Sequence, residues 1–333
     1  MQMSQHSNTN AIWITWEIQP RNKSMSKLVG ADLKELIVNK SRWIKYPILI
    51  LRTAFLLLNN RAKVIFVQNP SIVLAYVSSV LKCLLGFKLI VDAHNAGIYP
   101  LEGKSKILNY ITRKICQRAD MVIVTNVALS DQVREWSGHP FIMPDPLPDY
   151  GNIKATPSNE QIKNFLLICT WAEDEPYLEI IDAAQSLQGV VNLRITGNYK
   201  KKLTSSQVES LPKNITLLGF VSESEYVHEL SHADFTIDLT TRDNCLVCGA
   251  YESVAMGIPG IISDTSVNRQ TFPLGFVYSD NKDHSIREAM LQAVEKIDFY
   301  RNQVSEMKGL HSLRTTQCRD SLLEKVFGRS VSL

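Results

Sequence analysis

Short apolar runs recur along the chain, separated by segments of helical length. In the first half they are AIWITW (11–16), KELIV (34–38), KVIFVQ (63–68), KLIVDA (88–93) and MVIVTN (121–126). In the second half they are FLLICT (165–170), VNLRIT (191–196), ITLLGF (215–220), DFTIDLT (234–240) and GIISD (260–264). Most are continuous rather than alternating, as expected of strands buried on both faces. SKILNYITRKICQRA (105–119) and PYLEIIDAAQSL (176–187) read as helices between strands. The repeated β–α order predicts parallel sheets covered by helices. The segment 279–317 reads as helix with one polar face, packed on the sheets.

The pattern breaks at MPDPLPDYGNIKATPSNEQ (143–161), rich in proline and poor in apolar residues. This predicts two domains, 1–150 and 151–333, each a Rossmann-like α/β unit. Two such sheets side by side leave a cleft at the carboxyl ends of their strands, where ligands bind in such folds. SIVLAYVSSVLKCLLGFKLIV (71–91) and WIKYPILILRTAFLLL (43–58) are interrupted by lysine, arginine or glycine, so neither reads as a membrane span. The first is a crossover helix running into a strand.

Charge changes the picture locally. The formal net charge is only +3, yet residues 19–63 hold ten Lys and Arg against two acids. Lys40, Arg42, Lys45 and Arg52 flank Trp43, Tyr46, Leu49 and Phe55. That pattern fits an interfacial helix on an anionic membrane surface, and equally a core helix with a solvated basic edge. No zinc-finger, RRM or KH signature accompanies it, so nucleic acid is not an expected partner. The polar opening MQMSQHSNTN lacks an apolar signal core, which predicts a cytoplasmic protein, peripheral on the inner membrane face.

NCLVCGAYESVAMGIPGIISD (244–264) holds the densest chemistry. A structural zinc site needs four ligands, and Cys245 and Cys248 supply two with no fitting histidine pair. Leu246 and Val247 make a redox pair unfavourable as well. Packing cysteines near a loop are the expected reading. A helix starting near Gly249 would direct free N–H groups at an anion, with Glu252 in its first turn to accept from sugar hydroxyls. His94, at the end of LIVDA, is a candidate base or hydrogen-bond donor, with Asn95 as helper. Asn69 ends another strand and is a candidate for the acceptor. The loop after the first strand lacks G-x-G-x-x-G, which argues against a dinucleotide site; Arg21 there is a candidate to cover a diphosphate.

LRITGNYKK (193–201), NITLLGFVSESEYVHELSHADFTIDLT (214–240) and GAYESVAMGIPGIISD (249–264) resemble the donor-binding domain of the two-Rossmann-domain (GT-B) glycosyltransferases of the family-4 type. FVQNP and LIVDAHN resemble the acceptor domain of its mannosyltransferase-like branches. The resemblance implies a retaining transfer from a UDP- or GDP-sugar to a saccharide or lipid-linked acceptor, with no cofactor. No D-x-D stands at a strand end, so no metal is expected. The resemblance gives Glu252 the ribose, Gly249 and Ala250 the diphosphate, and Phe220 and Val221 the base. Asn244 stands where the family has a second glutamate, so the sugar-facing carboxylate is either missing or displaced to Asp243. TWAEDEPYLE (170–179) lacks the family's basic clamp, leaving Lys200, Lys201 or Arg242 to replace it. A nucleotide-sugar epimerase and a silent nucleotide-sugar-binding protein are the alternatives.

Overall fold

The apolar runs form parallel strands and the segments between them helices in the computed structural model, which describes residues 10–60, 62–69, 71–156 and 160–328. Arg61 and most of the polar opening lie outside the described residues.

The chain divides into two compact units, 1–146 with 314–333, and 147–313. In the first, β1 (Ala11–Thr15) leads through α1 (Pro20–Val29) to β2 (Asp32–Glu35). Then follow α2 (Arg42–Asn59), β3 (Val64–Asn69), α3 (Ile72–Leu85) and β4 (Lys88–Ala93). The short α4 (Asn95–Ile98), α5 (Lys106–Arg118), β5 (Met121–Val124), α6 (Val127–Glu135) and β6 (Pro140–Ile142) complete it. All pairings are parallel, in the order β2-β1-β3-β4-β5-β6.

Successive side chains on a strand point to opposite faces, so each run feeds two cores. Ile12, Ile14, Ile65, Val67, Leu89 and Val91 pack with Leu49 and Leu57 of α2, Leu74 of α3 and Ile115 of α5. Trp13, Phe66, Ile90 and Ile123 pack with Met25 and Val29 of α1 and, on the same face, Leu322 and Val326. The basic stretch 19–63 is therefore not one surface: α1 and α2 lie on opposite faces of the sheet.

The second unit runs β7 (Lys163–Leu167), α7 (Tyr177–Gln185), β8 (Val191–Thr196), α8 (Ser205–Glu209), β9 (Ile215–Gly219), α9 (Glu223–Ser231) and β10 (Phe235–Asp238). It continues with α10 (Cys248–Met256), β11 (Gly260–Ser263), α11 (Ser266–Thr271), β12 (Phe276–Ser279), α12 (Asp283–Glu295) and α13 (Ile297–Phe327). Its sheet is also parallel, ordered β12-β11-β10-β7-β8-β9. Phe165, Leu193, Ile237 and Val277 meet α7 and α12 on one face; Leu166 and Ile262 meet α9 and α10 on the other. Along α13, Val304 and Met307 join the second unit's core and Leu322 and Val326 the first's. The sequence had assigned all of 151–333 to the second domain.

Two strands escaped the sequence reading. β6 and β12 are edge strands of three and four residues, too short to stand out as apolar runs. β2 lies two residues earlier than KELIV because its register with β1 runs Ile12–Asp32 to Thr15–Glu35.

Candidate functional site

Each sheet has a point where strand order reverses, and the loops leaving the strands there diverge to opposite faces. In the first sheet it falls between β1 and β3, and in the second between β7 and β10. Some of the candidate residues lie at or beside these two places, and others do not.

At the first, Arg21 occupies the opening turn of α1, not a mobile loop. It grips Asp92 near the end of β4 with two bonds, Nε to Oδ2 at 3.0 Å and Nη2 to Oδ1 at 2.6 Å. Its remaining nitrogen pairs with Asp145. Asp92 is fully buried. Burial alone would raise its carboxyl; the Arg21 charge and hydrogen bonds, with His94 close by, overcome that and hold it well below the usual carboxylate range. His94 follows β4, its Nε2 3.7 Å from Asp92 Oδ2. Burial, then the Arg21 charge, push the imidazole below its ordinary value. It is a neutral base at pH 7. The Oδ1 of Asn95 beside it is buried with no hydrogen-bond partner. Asn69 bonds to the backbone through its main-chain carbonyl and its side-chain amide N–H, and its Oδ1 is buried with no hydrogen-bond partner. Its carbonyl accepts the His94 N–H at 3.2 Å, and its amide donates to the Gly97 carbonyl at 3.2 Å. A Cβ on Gly97 would stand 2.4 Å from the Asn69 oxygen, so only glycine fits that turn.

At the second, α10 begins at Cys248, one residue before the predicted start. Glu252 is therefore its fifth residue and lies past the first turn. Tyr226 of α9 donates its hydroxyl to Glu252 in a short hydrogen bond. Burial raises the Glu252 carboxyl, with Tyr226 pulling it back. Gly249 is not open to a ligand as the sequence suggested. Its N–H donates to Asp238 Oδ2 at 2.7 Å, and a Cβ there would meet Asp238 at 2.6 Å and Ile168 at 2.7 Å. Asp238 ends β10; burial raises its carboxyl well above the usual value, against the Gly249 N–H, and Glu252, Glu175 and Asp174 add repulsion.

The loop after β7, where a basic clamp was looked for, is built around an acid. Glu175 accepts the Thr170 and Ala172 N–H groups at 3.0 and 2.9 Å and the Thr170 hydroxyl at 2.7 Å. Trp171 between them has φ 63°, and the Thr170 and Ala172 N–H groups on either side of it converge as an anion nest. The proposed replacements for the clamp stand apart or are engaged. Arg242 pairs with Asp174 at 3.1 Å. Lys200 and Lys201 are exposed in a turn after β8. Lys202, which the sequence reading passed over, pairs with Glu173.

Asp243 lies in an exposed turn beside Asn244, which has φ 59°. Phe220 projects from the end of β9, 90% exposed, with Val221 half-buried next to it. Cys248 is exposed and Cys245 half-buried, so neither is the packing cysteine expected. Among the described residues no three His, Cys, Asp or Glu side chains come together as a metal set.

Asp92, Asp238, Glu175 and Tyr226 were not singled out from the sequence. The first two had a signal: each is the only acid well inside an apolar strand run. Asp238 also gives a prediction. A carboxyl raised in the folded state makes stability fall as pH rises from its unfolded value, near 4, to its folded one, with the penalty constant above that. The second unit is expected to be more stable to heat near pH 5 than near pH 8. Asp238→Asn keeps an acceptor for Gly249. It should flatten that slope and gain about 1–3 kcal/mol at neutral pH. An unchanged slope would remove Asp238 as its source.

No family model matches the chain, and no curated protein matches it by sequence. Solved structures match it in fold. Anabaena HepE in complex with UDP and glucose is 11% identical, with a TM-score of 0.73 over 95% of this chain and 99% of that one. Sucrose-phosphate synthase from Thermosynechococcus elongatus is 11% identical, with a TM-score of 0.74 over 96% and 99%. A glycosyltransferase from Rickettsia africae is 10% identical, with a TM-score of 0.69 over 95% and 90%. The likeness is one of fold: the chain has the two Rossmann-like units of the GT-B glycosyltransferases along nearly its whole length.

Proposed function

We propose that the protein is a family-4-type glycosyltransferase that moves a hexose from a UDP- or GDP-sugar to a saccharide or lipid-linked saccharide, retaining its configuration and needing no metal. The observation that carries this reading is Glu252, a half-buried carboxylate at the switch point of the second sheet, held by one tyrosine hydroxyl. A ribose offers two such hydroxyls. The full-length likeness in fold to HepE, a protein seen with UDP and glucose, supports it.

In this reading the base lies against Phe220 and Val221, and Glu252 takes the ribose. The Ala250 N–H, next after the one taken by Asp238, faces the diphosphate. Charge developing on the departing diphosphate is met by fixed N–H dipoles. Asp243 takes the sugar-facing role. His94, half-buried in the first unit, binds the acceptor hydroxyl. The enzyme then works in the cytoplasm, on acceptors at the inner membrane face.

Glu175 favours a second reading. A carboxylate already fills the N–H nest where a diphosphate clamp belongs, as it would in a protein that holds a nucleotide sugar without turning it over. Incubation with UDP- and GDP-sugars and a membrane extract separates the possibilities. Acceptor-dependent release of nucleoside diphosphate is the expected result. Epimer formed without acceptor would assign an epimerase, and binding without turnover the silent protein.

A further inference from the structure

Three helices, α2, α3 and α5, cover one face of the first sheet and bury one stripe each. Leu49, Thr53 and Leu57 point inward from α2, Leu74 and Ser78 from α3, Thr112 and Ile115 from α5. The opposite side of α2 is apolar too: Ile44, Leu51, Phe55 and Leu58 recur at helical spacing and are exposed, and Trp43 at its start is 91% exposed. Tyr76, Val80 and Leu84 continue the outward face on α3, and Ile107 and Tyr110 on α5. A helix apolar all round belongs in a core or against lipid. A groove of about 520 Å³, lined by Leu36, Leu51, Phe55 and Arg52 among others, opens beside α2.

Charge says what covers this face. The three helices contain eight basic residues and no acid. Lys82 spends its charge on Asp120 at 2.8 Å, whereas Arg42, Arg52, Lys106 and Arg113 are exposed. α1, on the other face of the sheet, contributes nothing here, and its Arg21 is turned inward onto Asp92. A second copy is a poor occupant, since a two-fold contact sets a surface against itself and like charges against like.

We infer that the α2–α3–α5 face docks on an anionic lipid bilayer. Leu51, Phe55 and Leu58 enter the acyl boundary, Trp43 lies at headgroup level, and the arginines and lysines meet lipid phosphates. No helix among the described residues is long and apolar enough to cross a membrane. The contact is peripheral and does not depend on which sugar, if any, the protein transfers.

Co-sedimentation with vesicles of phosphatidylcholine alone, and of equal phosphatidylcholine and phosphatidylglycerol, tests it. The full chain is expected to bind the mixed vesicles at low salt and to leave the neutral ones in proportion to the missing charge. Each basic side chain near an anionic surface is worth about fivefold. Replacing Arg42, Lys45, Arg52 and Arg113 together by glutamine should therefore weaken binding at least about tenfold, allowing for overlap. Trp43→Ser, Phe55→Ser and Leu58→Ser together should weaken it at least about tenfold at unchanged charge. All but the half-buried Lys45 are exposed, so the fold should survive, and circular dichroism checks that. Wild type left in the supernatant with mixed vesicles would overturn the inference, as would binding indifferent to both sets of changes. A dimer that splits on Phe55→Ser with Leu58→Ser would instead assign the face to a second copy.

Discussion

Arg21→Met is expected to destabilise the first unit by about 3–5 kcal/mol. The guanidinium side chain is 10% exposed and Asp92 not at all, so removal leaves a carboxylate buried beside a neutral imidazole. Asp145 loses its ion pair with Arg21 in the same change. The substitution keeps the length of the aliphatic stem, so lost packing is a small part of the effect. Denaturation followed by tryptophan fluorescence is the measurement, since Trp13 and Trp16 lie buried in this unit. The double change Arg21→Met with Asp92→Leu should recover most of the loss, because replacing a whole buried pair costs far less than breaking it. A single variant within about 1 kcal/mol of wild type would show that the pair is not what holds this end of the sheet. The pair should also resist acid. Its carboxyl titrates below the ordinary range, so its contribution is complete above the unfolded value near 4. It fades only as the pH drops through the lower, folded one.

Glu252→Ala is expected to weaken binding of UDP or GDP, whichever the protein takes, by about 1.5–3 kcal/mol, roughly tenfold to more than a hundredfold. The carboxylate is the only acid on α10, and its one internal donor, Tyr226, comes from a neighbouring helix and can be exchanged for a ribose hydroxyl. Glu252→Gln keeps an acceptor but loses the charge, and should fall between. The fold should survive both, since burial disfavours the charge of Glu252 in the first place. Titration calorimetry of the two variants and wild type decides it. Equal affinity across the three would take the ribose away from Glu252.

Much of this architecture was readable beforehand for one reason. Parallel strands covered on both faces need continuous apolar runs, and runs such as KLIVDA and VNLRIT have few other places to go. What stayed hidden depends on neighbours distant in sequence. The edge strands β6 and β12 are defined by the strand they pair with, not by their own composition. The block of positive charge at 19–63 looked like one surface because sequence adjacency was the only measure at hand; the chain crosses the sheet between α1 and α2. At the second switch point the acidic loop 170–179 was legible as lacking a base. That Glu175 turns back onto the N–H groups of its own loop was not, because it needs the left-handed backbone at Trp171, a residue that rarely adopts it. Glu252 stands out in the sequence as a lone acid in an apolar helix, but its turn was misjudged. Val247 gives no side-chain cap to mark the helix start.

The Glu175 loop makes anion entry a substitution reaction. A tethered carboxylate sits at a high effective concentration, and any phosphate oxygen that takes the Thr170 and Ala172 N–H groups must first expel it. Inorganic phosphate brings no other binding energy to that exchange, so the loop excludes it by competition. In the proposed function a nucleotide would draw on further contacts at Phe220 and Glu252, which a small anion lacks. Under that proposal, selectivity against small anions would come from a negative side chain, Glu175. Thermal unfolding unmoved by inorganic phosphate, in a protein that a nucleoside diphosphate does stabilise, is the signature of such a filter.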